Sequence, residues 1–162
     1  MISIKKLTYV HFSNCFELLS GNKKELIDFN YLGWSFNQLK NQFSKKTNLA
    51  IGLYNNTKLQ GFVIGDVIFV ENIAEYEILL IYVNEYKRNL GYGTILLNNI
   101  QLLFKTSKLK KIYLEVSSEN KQALTLYEKN GYIKSGIRKK YYKIMNKFED
   151  ALLLEKTIND TK

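Results

Sequence analysis

Proline is absent from this 162-residue sequence, and cysteine, histidine and tryptophan each occur once. The single cysteine, Cys15, excludes an internal disulfide framework, and with the single histidine, His11, it excludes the common zinc clusters of Cys and His. No stretch is long and apolar enough to span a bilayer. The opening residues, MISIKKLTYVHFSN, lack the apolar run and small-residue cleavage site of a signal peptide. The expectation is a cytoplasmic protein that neither enters a membrane nor binds a metal. Cys15 lies in Cys15-Phe16-Glu17-Leu18-Leu19, an apolar helix-like context, and reads as a core thiol rather than a nucleophile. His11 reads as a surface or helix-entry residue. There is no internal repeat and no low-complexity linker.

What is present is enough apolar material for one core, and a surplus of positive charge. At 19.0 kDa and 46% hydrophobic residues, the chain suits a single domain over residues 1–162. Lys and Arg number 24 against 15 Asp and Glu, a formal charge of +9 that favours an anionic partner. A polyphosphate coenzyme, an acidic peptide and ribosomal RNA all qualify. A genome biased toward Lys, Asn, Ile and Tyr codons explains the same charge, and the missing proline accords with it. With 12 Tyr and nine Phe, aromatic content alone discriminates little.

The most informative stretch is Ile78 to Lys105. Apolar and β-branched residues from Ile78 to Val83 predict a strand, and Arg88-Asn89-Leu90-Gly91-Tyr92-Gly93-Thr94 predicts a loop. Leu96, Ile100, Leu103 and Phe104 then recur at helical spacing. Glycines at a strand-to-helix junction let the backbone approach a ligand and leave N–H groups without helical partners. With the helix dipole, such donors suit a pyrophosphate. The same pair also suits a tight turn before a packed helix.

Elsewhere, Ile2–Thr8 predicts a strand, and Phe12, Cys15, Phe16 and Leu19 predict a short helix ending near Gly21. A polar, Lys-containing connection follows. Ser35-Phe36-Asn37-Gln38 has capping-box spacing and opens a helix to Phe43. Leu49–Tyr54, Leu59–Val70 and Tyr76–Val83 predict three consecutive antiparallel strands, with turns at Asn55–Lys58 and Glu71-Asn72. After a basic connection, Lys105–Lys111, comes a strand, Ile112–Val116, parallel to its predecessor across the helix. Asn120 caps a helix that stops at Asn130-Gly131. Tyr132–Arg138 and Ala151–Lys156 predict two final strands around a long loop, Lys139–Asp150.

Val83 followed by Arg88-x-x-Gly91-x-Gly93 resembles the acetyl-CoA loop of the GNAT acetyltransferase superfamily. Leu114-Glu115-Val116-Ser117-Ser118-Glu119-Asn120, then Ala123-Leu124-x-Leu126-Tyr127-Glu128-x-x-Gly131-Tyr132, then Arg138-Lys139-x-Tyr141-Tyr142 and Glu149-Asp150-Ala151, resembles the bacterial RimI family. That family acetylates the N-terminal α-amine of a ribosomal protein. Trp34-Ser35 resembles a Trp-Ser pair that it places between its first helices. Gly33, Glu85 and Lys143 stand where proline is usual.

The resemblance implies a mixed α/β (α+β) GNAT fold, with a mostly antiparallel sheet of about seven strands, about four helices, and strands four and five splayed apart. It implies that Ile81, Tyr82 and Val83 present strand backbone to the pantetheine arm of acetyl-CoA. Arg88 and Asn89 through Thr94 (with Leu90, Gly91, Tyr92 and Gly93 between) would wrap the pyrophosphate, and Asn120 would reach the coenzyme beyond it. Glu115 becomes the general base, Tyr127 the general acid, and backbone N–H near Val83 the oxyanion donor. Trp34, Arg138, Tyr141 and Tyr142 would line the acceptor channel. The implied partners are acetyl-CoA and a protein N-terminus, with no need for nucleic acid or a membrane, and the implied state is a monomer or weak dimer. A small amine, a lysine or aminoacyl-tRNA is the alternative acceptor, and a non-catalytic CoA- or RNA-binding module the non-enzymatic alternative.

Overall fold

A computed structural model describes residues 1–104 and 108–159. Strand β1 (Ile2–Leu7) is followed by helices α1 (Phe12–Ser20), α2 (Lys23–Tyr31) and α3 (Phe36–Ser44). A meander of β2 (Asn48–Asn55), β3 (Lys58–Val70) and β4 (Ile73–Val83) leads into α4 (Tyr92–Asn99). Strand β5 (Lys108–Ser117), helix α5 (Lys121–Lys129) and the hairpin of β6 (Ile133–Ile144) and β7 (Lys147–Thr157) complete it. Five α-helices are thus described, where about four were expected.

The strands form one sheet in the order β1-β2-β3-β4-β5-β7-β6, antiparallel throughout except for the β4–β5 pair. A parallel pair needs a crossover, and α4 with its following 3-10 turn (Ile100–Leu103) supplies part of it. Pairing between β4 and β5 runs from Ile73↔Lys108 to Ile78↔Leu114 and then stops. Beyond that point β4 stays bonded to β3, and β5 to β7. The two central strands therefore part at their carboxyl ends, as expected.

A bulge in β4 decides which side chains face which layer. Leu80 pairs with Ile64 and Ile78 with Gly65, so Leu79 has no partner in β3. Because side chains alternate with a period of two, one extra residue exchanges the faces. Tyr76 and Ile78 enter the core beneath α4 and α5, with Leu96, Ile112, Leu114 and Tyr127. Leu80 and Tyr82 enter the opposite core beneath α1 and α3, with Cys15, Leu19, Leu39 and Phe43.

Three local features differ from the sequence expectation. The polar connection before Trp34 contains α2, whose start is fixed by Asn22 accepting from the Glu25 N–H at 3.0 Å. None of its residues is buried, so it carries no strong apolar stripe to betray it. The long loop Lys139–Asp150 is instead the continuation of β6 and β7, which turn at Met145-Asn146. Between Arg138↔Ala151 and Tyr142↔Glu149 three residues of β6 oppose one of β7, and Asp150 holds the bulge. Its carboxylate accepts from the Lys140 N–H at 2.9 Å and from Lys139 Nζ at 2.8 Å. Of the basic connection at Lys105–Lys111, residues 105–107 lie outside the described residues, and the remainder already belongs to β5.

The predicted caps are present. Ser35 Oγ accepts from the Gln38 N–H at 3.2 Å, and Asn120 Oδ1 from the Ala123 N–H at 3.1 Å. At the end of α5 the Gly131 N–H donates to Glu128 O and the Tyr132 N–H to Tyr127 O, the paired bonds of a Schellman stop. His11 sits at the entry to α1, its Nδ1 accepting from the Thr8 N–H at 3.0 Å.

Candidate active site

Where β4 and β5 part, two clefts open and meet. The first, of about 760 Å³, lies between the end of β4, the start of α4 and the face of α5. Every residue expected around the coenzyme lines it except Leu90, which is 60% exposed. Asn89 and Gly91 both adopt positive φ, 62° and 79°, so the chain doubles back just before α4. A Cβ on Gly91 would touch nothing, so it is the dihedral that calls for glycine there. Gly93 has a different reason: its Cβ would fall 2.9 Å from the Leu126 side chain, so α4 and α5 can meet closely.

The first intrahelical bond of α4 runs from the Ile95 N–H to Gly91 O. The N–H groups of the preceding turn have no helical acceptor, and Gly91, Tyr92, Gly93 and Thr94 line a cleft that Lys87 and Lys129 also line. Backbone donors, a helix start and two ammonium groups fit a diphosphate. Side chains here mostly serve the protein itself. Thr94 Oγ1 accepts from Asn130 Nδ2 at 3.2 Å, tying α4 to α5. Arg88 donates through Nε to Val83 O at 3.1 Å and spends both terminal nitrogens on Glu25, Nη2 at 2.8 Å.

The second cleft, of about 630 Å³, opens on the other side of the gap and shares Phe29, Ile81, Asn120 and Ala123 with the first. Glu115, Tyr127, Trp34, Tyr141 and Tyr142 all line it. Arg138 enters through Glu115: its Nε lies 2.8 Å from Glu115 Oε1, and its guanidinium stacks 5.4 Å from the Tyr141 ring. Tyr127 is 5% exposed and meets Tyr132 edge-on at 5.6 Å. Burial, with the added negative field of Tyr142, pushes its hydroxyl well above the ordinary phenol range. Tyr142 is pushed up to about 12 by burial and by the neighbouring Glu115 carboxylate. Both phenols are therefore protonated donors near neutral pH.

Two carboxylates of the site escaped the sequence reading. Glu77 lines the second cleft, and burial, then repulsion from Glu115 and Asp66, raises its pKa. The alternation Glu75-Tyr76-Glu77-Ile78 could have marked its face, but not its neighbour on β5. Glu25 lines the first cleft from α2, and the spacing Asn22-x-x-Glu25 is a helix-start signal that could have revealed it. Burial acts to raise its pKa, but the Arg88 hydrogen bonds and charge and the Tyr82 hydroxyl outweigh that, and the net shift is downward. Cys15, by contrast, is fully buried, and burial pushes its thiol up to about 12, which suppresses the thiolate.

Over residues 13–132 the sequence matches the profile of the Acetyltransferase (GNAT) family. The chain belongs to that family. It is thereby an acetyl-CoA-dependent N-acetyltransferase. It is 33% identical over 110 residues to the [ribosomal protein bS18]-alanine N-acetyltransferase of Haemophilus influenzae, covering 67% of this chain and 70% of that protein. Its fold resembles the crystal structure of the ribosomal-protein-S18-alanine N-acetyltransferase from Escherichia coli, with a TM-score of 0.79 and 21% identity, covering 100% of this chain and 97% of that one. Arabidopsis thaliana NAA60 in complex with acetyl-CoA has the same fold at a TM-score of 0.78 and 16% identity, covering 99% and 100% of the two chains.

Proposed function

We propose that this GNAT enzyme acetylates the N-terminal α-amine of a protein in the cytoplasm, with a ribosomal protein as the first candidate. The observation that carries the reading is the meeting of the two clefts. A coenzyme whose diphosphate sits on the α4 loop brings its thioester to the gap, where Glu115 and Tyr127 line the acceptor side. The relative named as a [ribosomal protein bS18]-alanine N-acetyltransferase supports a ribosomal protein as acceptor.

An α-amine is neutral in roughly one molecule in ten at pH 7, whereas a lysine amine is neutral in under about one in a thousand. A terminal amine therefore asks only for a modest base. Glu115 takes the proton, directly or through a water, while Arg138 holds its carboxylate from the other side. Backbone N–H near Val83 steadies the charge that develops on the acyl oxygen. Tyr127, held protonated by burial, donates to the departing sulfur.

Short peptides with free and pre-acetylated N-termini test the reading. Turnover of acetyl-CoA is expected with the free terminus and is abolished by blocking it. Turnover that persists on a blocked, lysine-containing peptide, or appears only with small amines or aminoacyl-tRNA, would overturn the choice of acceptor.

A further inference from the structure

Helix α2 lines both clefts, yet none of its nine residues is buried. A surface helix ordinarily keeps its place through an apolar stripe. Here the main apolar contact with the site is Phe29, whose ring meets Tyr82 edge-on at 5.6 Å. The rest of the attachment to the site is polar and enters the coenzyme loop. Glu25 receives both terminal nitrogens of Arg88 and, at 3.0 Å, the Tyr82 hydroxyl. Asn22 Nδ2 donates to Glu85 at 2.6 Å. Arg88 in turn grips the last carbonyl of β4, Val83 O. A bidentate, charge-assisted pair fixes direction as well as distance, and the side chains of this one are only 26% and 23% exposed.

The other end of α2 belongs to the acceptor cleft. The Trp34 N–H donates to Phe29 O at 2.7 Å, and Phe29 and Trp34 both pack on the core while lining that cleft. One clip thus joins the strand that faces the coenzyme, the loop that faces its diphosphate and the wall that faces the acceptor.

We propose that Glu25 is a positioning residue for acetyl transfer: by holding Arg88 it seats α2 on the coenzyme loop and thereby sets the acceptor wall from Phe29 to Trp34. The proposal rests on the reading that the second cleft takes the acceptor. Loss of Glu25 loosens that wall and frees the Arg88 guanidinium toward the diphosphate. The acceptor KM therefore rises while coenzyme affinity is kept or tightened. A residue that only supported the fold would lower the melting temperature and leave both constants of the surviving enzyme alone.

Trp34 is the single tryptophan of the chain, so its fluorescence reports on the acceptor wall without any acceptor present. In the full-length protein, Glu25→Gln is expected to move Trp34 emission to longer wavelength and to make it more readily quenched by acrylamide. Arg88→Gln gives the same change, and the double variant adds nothing to it. Calorimetry of Glu25→Gln with coenzyme A shows an unchanged or lower Kd, while the acceptor-peptide KM rises about tenfold, roughly 1.4 kcal/mol. Unchanged Trp34 emission and quenching in Glu25→Gln overturns the proposal, as does weakened coenzyme binding with an intact acceptor KM. Should Glu25→Gln fail to fold, Tyr82→Phe removes one hydrogen bond to Glu25 and keeps the ring on Phe29; a smaller shift in the same direction is expected, and no shift overturns the proposal. A wild-type enzyme inactive on every peptide would overturn the acceptor reading and leave the fluorescence comparison to decide this one.

Discussion

The two sides of the gap are built on different physical terms. On the proposed coenzyme side the groups suited to the ligand belong to the backbone: two residues at positive φ, the open first turn of α4, and the end of β4. Its side chains, Arg88, Thr94 and Asn120, are spent on internal bonds that hold this backbone in shape. On the proposed acceptor side the groups suited to the chemistry are side chains, Glu115, Tyr127, Trp34, Tyr141 and Tyr142. Two of the elements around it, α2 and β6, have no buried residue of their own. Backbone donors survive changes of side chain, whereas a surface made of side chains changes with each replacement.

If that contrast is right, replacements on the two sides separate rate from affinity. The largest effect belongs to the acceptor side. Glu115→Gln is expected to lower kcat by about 10² to 10³, and Tyr127→Phe by a smaller factor, with coenzyme Kd unchanged by calorimetry in both. Because burial holds the Tyr127 hydroxyl protonated, the wild-type rate should show no alkaline fall from this group up to about pH 10, the ordinary phenol value. Equal rates for wild type and both variants would break the comparison at once.

Next comes the coenzyme side, where Gly91→Glu should weaken coenzyme A binding about tenfold or more while leaving the acceptor cleft intact. Positive φ costs a non-glycine residue roughly 1–2 kcal/mol, and the new carboxylate lies beside the diphosphate. An unaltered Kd would mean that the loop does not hold the coenzyme. The smallest effect sharpens the boundary between the two sides. Among the described residues, the buried Tyr132 hydroxyl has no hydrogen-bond partner, although its ring packs on Tyr127. Tyr132→Phe keeps the ring and removes the orphan, so a gain of about 1 kcal/mol is expected, read as a rise of roughly 2–4 °C in Tm. A fall in Tm would show that the hydroxyl is satisfied after all.

The same contrast governs how much of the molecule was legible in its sequence. The coenzyme side rests on local signals, an apolar and β-branched run, the Gly91 and Gly93 spacing and the capping residue Asn120, and each produced the element expected of it. The acceptor side depends on distance in sequence. Glu77 and Glu115 become neighbours only through the register of β4 against β5, and the bulge at Leu79 decides which layer faces them. Helix α2 escaped because its anchor is Glu25 gripping Arg88, 63 residues away, rather than an apolar stripe. The run from Lys139 to Lys143 looked like a loop because it is polar and exposed, yet Asp150 folds the extra residues into a bulge and the ladder resumes at Tyr142.

The most direct measurement is a crystal structure of the enzyme with coenzyme A joined through its sulfur to a short peptide N-terminus. The diphosphate should lie within hydrogen-bonding distance of the N–H groups between Asn89 and Thr94, and the sulfur in the gap beside Val83. The peptide nitrogen should face Glu115, with the Tyr127 hydroxyl toward the sulfur. A diphosphate bound away from α4, or a sulfur remote from both Glu115 and Tyr127, would contradict the account.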